Sequence, residues 1–135
     1  MDPEGWKEEY NFNLKFIDDQ HKYFFNTMNK LRECVKDGSC ANTGTGIFFE
    51  MAHYVEHFLI QEEIYFKDYK FPNYKQHKEL HSSFIERFIK FQKDFQSESE
   101  NVCADMLTFL EEWFENHILK YDKEAIEYLT DKGVK

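Results

Sequence analysis

The chain has 135 residues, which is enough for one domain with a buried core. Its 26 acidic residues outnumber its 17 basic ones, and the net charge of −9 argues against nucleic acid or an anionic membrane as partner, because both carry the same sign. The sequence has no apolar run of about 18 residues, so no membrane-spanning helix is expected. No secretory signal is expected at the N-terminus either.

Four segments repeat apolar residues at the period of an amphipathic helix. The first ends at Asp37-Gly38-Ser39, which is a turn signal, and the second ends before Pro72, where proline cannot continue a helix. The predicted helices run over about Asp18–Lys36, Gly46–Tyr69, Pro72 or Asn73 to Phe95, and Val102–Tyr121, with a short tail helix near Lys123–Leu129.

The lengths and spacing of these helices predict how they pack. Short connections place consecutive helices antiparallel, so the sequence predicts an all-α, up-down-up-down four-helix bundle. Residues 1–17 form an arm whose aromatic side chains are expected to pack along the bundle. We therefore expect one domain over residues 1–135, with the arm at 1–17, the bundle at about 18–122 and a short C-terminal tail.

The three cysteines, Cys34, Cys40 and Cys103, are an odd number without a Cys-x-x-Cys motif. This pattern predicts three free thiols in a cytoplasmic protein, because reducing compartments disfavour disulfides. The alternative is a Cys34–Cys40 disulfide across the turn.

All six histidines lie on the four predicted helices: His21 on the first, His53 and His57 on the second, His77 and His81 on the third, and His117 on the fourth. A single one would be better explained as a hydrogen-bonded core histidine. Burying several imidazoles without partners costs on the order of several kcal/mol, and side chains from facing helices converge in a bundle. The whole set therefore indicates a metal site.

The number of candidate ligands bears on the kind of site. A tetrahedral zinc ion needs four ligands, whereas two ions bridged by carboxylates use seven. The seven candidates are His21, His57, Glu62, His77, His81, His117 and Asp122. Mixed nitrogen and oxygen ligands with an open position suit iron. A ferritin-like di-iron site is less favoured, because it needs two Glu-x-x-His motifs and this chain has only Glu50–His53.

Several motifs together resemble the hemerythrin family, and the resemblance covers nearly the whole chain. They are Trp6 in the arm, Phe16-Ile17-Asp18-Asp19-Gln20-His21, His57-Phe58 followed by Glu62-Glu63, His77-Lys78-Glu79-Leu80-His81 after Pro72, and Trp113-Phe114-Glu115-Asn116-His117 with Asp122. The resemblance implies a four-helix bundle that holds two iron ions and binds O2 reversibly.

The resemblance also implies a role for each ligand. His77, His81 and His117 would hold one iron, and His21 and His57 the other, with a position left for O2. Glu62 and Asp122 would bridge the irons together with an oxo or hydroxo group. Phe24, Phe25, Phe58 and Trp113 are expected to form an apolar cavity around the bound O2. O2 is the expected partner, and no obligate protein partner is evident.

One stretch departs from the family pattern. The family reads His-Phe-x-x-Glu-Glu, whereas this chain has Gln61 four residues after His57 and Glu62 five residues after it. Five residues of regular α-helix rotate a side chain about 140° away. A π-bulge between His57 and Glu62 would restore the alignment and turn Gln61 away from the metals. Otherwise Gln61 replaces the carboxylate, or His57 is not a ligand; His53 is expected beside the pocket.

The leading functional hypothesis is a cytoplasmic O2-binding protein for storage, delivery or sensing, which needs no enzymatic activity. The alternatives are a di-iron oxidase, peroxidase or NO-reducing enzyme at the same site, a metal-binding regulatory module, or a metal-free bundle.

Overall fold

The computed structural model describes residues 2–135, and four long helices contain most of them. Helix α1 is Lys15–Asp37 and helix α3 is Tyr74–Gln96. Helix α2 continues without a break through an α-helical part Cys40–His53, a π-helical part Tyr54–Phe58 and an α-helical part Leu59–Asp68. Helix α4 also has three parts: an α-helical part Val102–Trp113, a π-helical part Phe114–Asp122 and an α-helical part Lys123–Asp131. The described residues contain no strand.

Contacts at one end of the helices define the topology. His21, near the start of α1, is hydrogen-bonded to Asp122 in the second half of α4. Glu63, near the end of α2, is hydrogen-bonded to His81 near the start of α3. Consecutive helices are therefore antiparallel, and the prediction of an all-α, up-down-up-down bundle is confirmed. Within residues 2–135, no helix has the length and apolar character needed to span a bilayer.

Three helix boundaries differ from the predictions. Helix α2 begins at Cys40, six residues before the predicted Gly46, so most of the predicted linker is helical. Helix α1 begins at Lys15 instead of Asp18. Helix α4 continues through the predicted tail helix, because its π-helical part joins the two α-helical parts without a turn.

The arm is fixed to the bundle by hydrogen bonds and aromatic packing. The Asp18 carboxylate accepts hydrogen bonds from the backbone N–H groups of Phe12 (2.7 Å) and Asn13 (3.1 Å). The Trp6 ring packs edge-on against Phe25, with 5.4 Å between ring centroids. Of the arm predicted over residues 1–17, Met1 lies outside the described residues.

The core has two apolar clusters. The larger one runs along the bundle and includes Phe24, Phe84 and Trp113, and the smaller one lies at the end where α1 begins and includes Phe66 and Phe71. The two clusters flank a group of buried polar side chains, which is the candidate functional site.

The cysteines differ from their prediction. Cys40 and Cys103 form a disulfide, and Cys34 is a buried free cysteine. The prediction of three free thiols is wrong, and so is the alternative Cys34–Cys40 pairing. The partners are 63 residues apart in sequence and meet only because α2 and α4 begin at the same end of the bundle. The disulfide removes the argument for a reducing compartment that rested on unpaired cysteines.

Two glycines in the first part of α2 provide a matched pair of variants. A Cβ at Gly44 would lie 2.5 Å from the Phe95 ring, whereas a Cβ at Gly46 meets nothing within 4 Å. Gly44→Ala should therefore lower the free energy of unfolding by about 1–3 kcal/mol, because the Phe95 ring must leave its packing against Phe48.

Gly46→Ala should instead raise the free energy of unfolding by about 0.5–1 kcal/mol, since alanine is the better helix former. Urea unfolding of both variants measures the two effects. Equal effects in the two variants would contradict the close packing of α2 on α3 at Gly44.

Candidate metal centre

Six ionisable side chains from all four helices are buried together between the two apolar clusters. They are His21, Glu62, His77, His81, His117 and Asp122, and none is more than 3% exposed. Buried ionisable groups are rare unless they are paired with one another or bind a metal. Six of the seven sequence-predicted ligands therefore lie together, and the seventh, His57, does not.

The π-helical part of α4 explains how two ligands five residues apart share one face. His117 and Asp122 both lie within Phe114–Asp122, and His117 Nε2 is 3.0 Å from Asp122 Oδ1. A π-helix has more residues per turn than an α-helix, so a separation of five brings side chains close to one face. This π-helix was not predicted, although the five-residue spacing of His117 and Asp122 is the same signal that predicted a π-bulge in α2.

The π-helical part of α2 lies earlier than predicted. It spans Tyr54–Phe58, and the Leu59 N–H donates an i→i+5 hydrogen bond to the Tyr54 carbonyl. An i→i+5 bond was expected within His57–Glu62, but the helix is α-helical from Leu59 onward. Most of the stretch between His57 and Glu62 is thus regular helix, and their five-residue separation is not compensated.

The consequence is that His57 and Glu62 face different directions. Glu62 is fully buried, whereas His57 is exposed and lies outside the cluster. The expectation that His57 points into the bundle is therefore wrong. Gln61 is exposed, as expected, and its side-chain carbonyl accepts a hydrogen bond from the Gln20 amide. His53 is also exposed, with its ring 4.4 Å from that of His57, and does not line the centre.

The Asp122 carboxylate lies at the middle of the cluster. Its Oδ1 is 2.8 Å from His77 Nε2 and 3.0 Å from His117 Nε2, and its Oδ2 is 3.2 Å from His21 Nε2. One carboxylate oxygen thus faces the imidazoles of α3 and α4, and the other faces the imidazole of α1.

Glu62 makes a second connection between the same two sides. Its Oε1 is 3.5 Å from His81 Nε2, and its Oε2 is 3.5 Å from His21 Nε2. The side chains form two potential metal-binding groups that share Asp122: His77, His81, His117 and Asp122, and His21, Glu62 and Asp122. Within each group the ligand atoms lie within 4.8 Å of one another. This is an arrangement in which two carboxylates can bridge two cations.

The hydrogen bonding of these side chains fits metal binding. Almost all the buried side-chain nitrogen and oxygen atoms that lack a hydrogen bond within residues 2–135 belong to this cluster. They are His21 Nδ1, both oxygens of Glu62, Nε2 of His77 and of His81, both ring nitrogens of His117, and Asp122 Oδ1, with Gln20 Oε1 the one other. Buried polar atoms normally have a partner, and most of these atoms belong to side chains of the two ligand groups.

The two carboxylates change the pKa of the imidazole on α1. Burial alone would lower the pKa of His21, but Asp122 and Glu62 outweigh it and raise this pKa to about 9. Burial raises the pKa of Glu62, and the charge of Asp122 raises it further. Although burial opposes it, contact with His117, His21 and His77 holds the pKa of Asp122 well below its usual range. Without metal, a proton on His21 thus supplies positive charge between the carboxylates, and a metal ion must displace it.

Three neighbours surround the ligands, and two of them, Glu63 and Tyr54, were not assigned a role from the sequence. Glu63 Oε2 is 2.9 Å from His81 Nδ1, so the carboxylate fixes the ring and leaves Nε2 free to ligate. The Trp113 ring stacks on His117 at 3.7 Å, and its Nε1 donates a hydrogen bond to the hydroxyl of Tyr54 at 3.2 Å. Glu63 could have been found from its place beside Glu62, and Tyr54 from its helical spacing after the buried Ile47 and Met51.

The predicted apolar cavity is present only in part. Phe24, Phe25 and Trp113 are buried, and the Phe24 ring lies 4.9 Å from that of Tyr54. Phe58 is half-buried and packs against Tyr23 on α1 instead. The apolar wall above the ligands is therefore built from Phe24, Tyr54 and Trp113.

The family model of the hemerythrin HHE cation binding domain matches residues 13–129. The chain belongs to the hemerythrin family. It is 29% identical to a bacteriohemerythrin of Clostridium acetobutylicum over 126 residues, covering 90% of this chain and 98% of the relative. It is 32% identical to one of Methylococcus capsulatus over 116 residues, covering 85% and 87% of the two chains. The position of the buried cluster agrees with a cation-binding domain of this family.

Proposed function

We propose that this hemerythrin-family chain is a single domain that holds two non-haem iron ions and binds O2 reversibly, for storage, delivery or sensing. The observation that carries the proposal is the pair of ligand groups joined by Asp122 and Glu62 inside an apolar bundle. When bound, the two ferrous ions supply the electrons that O2 takes up and gives back.

Each ligand has a proposed role that follows from its place. His77, His81 and His117 hold the first iron, and His21 holds the second. Asp122 and Glu62 would hold both ions, since each carboxylate has one oxygen toward each side of the cluster. His57, exposed on α2, is not a ligand of this centre.

The surrounding side chains protect and orient the ligands. Glu63 holds the ring of His81, and the Trp113 ring stacked on His117 restricts its rotation. Phe24 and Phe66, both fully buried, exclude water from the two sides of the cluster. Exclusion of water slows loss of the metal and proton transfer to bound O2, which reversible binding requires.

The two ions are held unequally in this arrangement. The first would have three imidazoles and the second one, so the second would have fewer protein ligands. We therefore expect that dilution or a mild chelator removes the second iron before the first.

The roles of Glu62, Gln61 and His57 can be tested by three single variants. Glu62→Gln should reduce bound iron from two ions to one or none, because a neutral amide bridges two cations poorly. Gln61→Ala and His57→Ala should keep the iron content of the wild type, because both side chains are exposed. Iron is measured per chain by elemental analysis after gel filtration.

Opposite results would reverse the assignment. If His57→Ala loses iron as Glu62→Gln does, α2 rotates on metal binding and His57 is the fifth imidazole ligand. If Gln61→Ala loses iron and Glu62→Gln keeps it, Gln61 is the ligand from this turn of the helix.

A second candidate function is a di-iron oxidase, peroxidase or NO-reducing enzyme at the same site, and two observations favour it. The exposure of His57 leaves the second ion with one imidazole and so with more than one position for a substrate. Tyr54 adds a fully buried phenol hydrogen-bonded to Trp113, and the pair can donate an electron and a proton to a bound oxidant.

One experiment separates the two functions. The protein is loaded with two ferrous ions per chain without air and is then cycled between O2 and argon while its visible spectrum is recorded. Reversible appearance of iron charge-transfer bands over many cycles supports O2 binding. Irreversible bleaching, or consumption of peroxide or NO over many turnovers, supports the enzyme and contradicts the carrier.

A further inference from the structure

The cysteines form a second cluster at the other end of the bundle from the histidines. Cys34 is 13 residues after His21 on α1, which places the two about 20 Å apart along the helix. Cys40 is the first residue of α2, and Cys103 is the second residue of α4. The three cysteines of the chain thus come from three different helix ends.

The three sulfur atoms are close enough to share one ion. All three Sγ atoms lie within 4.8 Å of one another, and no histidine, aspartate or glutamate belongs to this group within residues 2–135. Cys34 is 2% exposed and Cys103 is 3% exposed. The Cys40–Cys103 disulfide explains why two of the sulfur atoms are close together, but it does not explain why Cys34 lies beside them.

We propose that reduction of the Cys40–Cys103 disulfide converts this cluster into a binding site for one cuprous ion, held by the sulfurs of Cys34, Cys40 and Cys103. The reduction needs a cellular thiol as the reductant. Two thiol molecules give up two electrons and two protons and become one disulfide, while the protein disulfide becomes two thiols. The cuprous ion then displaces protons from the cysteines that bind it.

The number and kind of ligands favour a cuprous ion over other metals. Thiolates select soft ions such as Cu+, whereas the imidazoles and carboxylates at the other end suit iron. Structural zinc sites are almost always four-coordinate, and this group has three ligands. Three sulfurs suffice for the lower coordination number that Cu+ accepts.

The helix ends around the cluster favour thiolates. Cys40 and Cys103 lie in the first turns of α2 and α4, and neither helix has a side-chain hydrogen bond at its N-cap. The unpaired N–H groups and the positive end of the helix dipole stabilise negative charge there. Two helix N-termini thus offset part of the charge of a thiolate cluster.

A surface cavity gives the ion a route to the sulfurs. The cavity has a volume of about 760 Å³, and Cys34, Cys40 and Cys103 all contribute to its wall. Phe95 and Val102 line the same cavity. A reductant and a cuprous complex can therefore reach the cluster without unfolding of the bundle.

The test compares the wild type with Cys34→Ser. This variant keeps both disulfide partners, so its oxidised form should still contain the Cys40–Cys103 bond. Each protein is reduced with a phosphine under argon, freed of iron, and titrated with Cu+ in competition with a chromophoric cuprous chelator. Loss of a residue that only hydrogen-bonds a metal ligand lowers metal affinity roughly 10- to 100-fold. Loss of a ligand itself should lower the affinity for Cu+ by at least as much.

We expect the reduced wild type to bind one Cu+ per chain, and Cys34→Ser to bind it at least about 10-fold more weakly. Cu+ should also raise the melting temperature of the reduced wild type more than that of the variant, and the oxidised wild type should bind no Cu+ here. His53→Ala, which replaces an exposed histidine outside the iron centre, should bind Cu+ like the wild type. Equal affinities of wild type and Cys34→Ser, or equal binding by oxidised and reduced protein, would overturn the proposal.

Discussion

Replacing His77 by alanine should remove iron from the centre and lower the melting temperature in the same step. The imidazole lies 2.8 Å from Asp122 and supplies one of the three histidines proposed for the first iron. A metal that binds only the folded state stabilises it by about 4 kcal/mol when its free concentration is 1,000 times the dissociation constant. Loss of binding removes this contribution.

The measurement needs both metal-loaded and metal-free protein, because alanine also leaves a cavity. Iron should raise the melting temperature of the wild type clearly and that of His77→Ala little or not at all. His53→Ala is the matched control, since His53 is a helical histidine that is exposed and outside the cluster. If His77→Ala keeps two irons and the full metal-dependent rise, the proposed centre is wrong.

Removing the disulfide should have an effect of similar size at the other end of the bundle. The Cys40–Cys103 bond closes a loop of 63 residues. Loss of such a cross-link increases the entropy of the unfolded chain and so lowers the free energy of unfolding by about 4 kcal/mol. Cys40→Ser should therefore lower the melting temperature of metal-free protein by roughly 10–20 °C. Cys40 is the better partner to replace because it is only half-buried.

A thiol reductant supplies the control for this prediction. It should lower the melting temperature of the wild type to that of Cys40→Ser and leave the variant unchanged. Cys34→Ser should keep the response to the reductant, because it retains both disulfide partners. Identical melting of wild type and Cys40→Ser in oxidising buffer would mean that the bond does not form.

The sequence by itself predicted the bundle and most of the members of the buried ionisable cluster. Apolar residues at helical spacing and short connections indicate antiparallel helices. His77 and His81 share a face of α3 because four residues make about one turn, so their convergence follows from local geometry. His21, His117 and Asp122 could be added because the motifs that contain them resemble those of the hemerythrin family.

The tertiary structure decided what depends on a departure from regular helix. The position of one extra residue in α2 determines whether His57 or another side chain faces inward, and local propensity does not fix it. The π-helix lies at Tyr54–Phe58, so His57 faces outward, whereas in α4 it includes both His117 and Asp122 and brings both inward. The packing of buried side chains such as Tyr54 and Trp113 selects these positions.

The cysteines show the same limit over a longer distance. An odd number of cysteines without a motif predicts free thiols, and nothing local relates Cys40 to Cys103. Their pairing, with Cys34 beside them, follows from the antiparallel order of the helices, which brings the end of α1 and the starts of α2 and α4 together. Sequence spacing therefore determined which side chains share a helix face, and helix packing determined which faces meet.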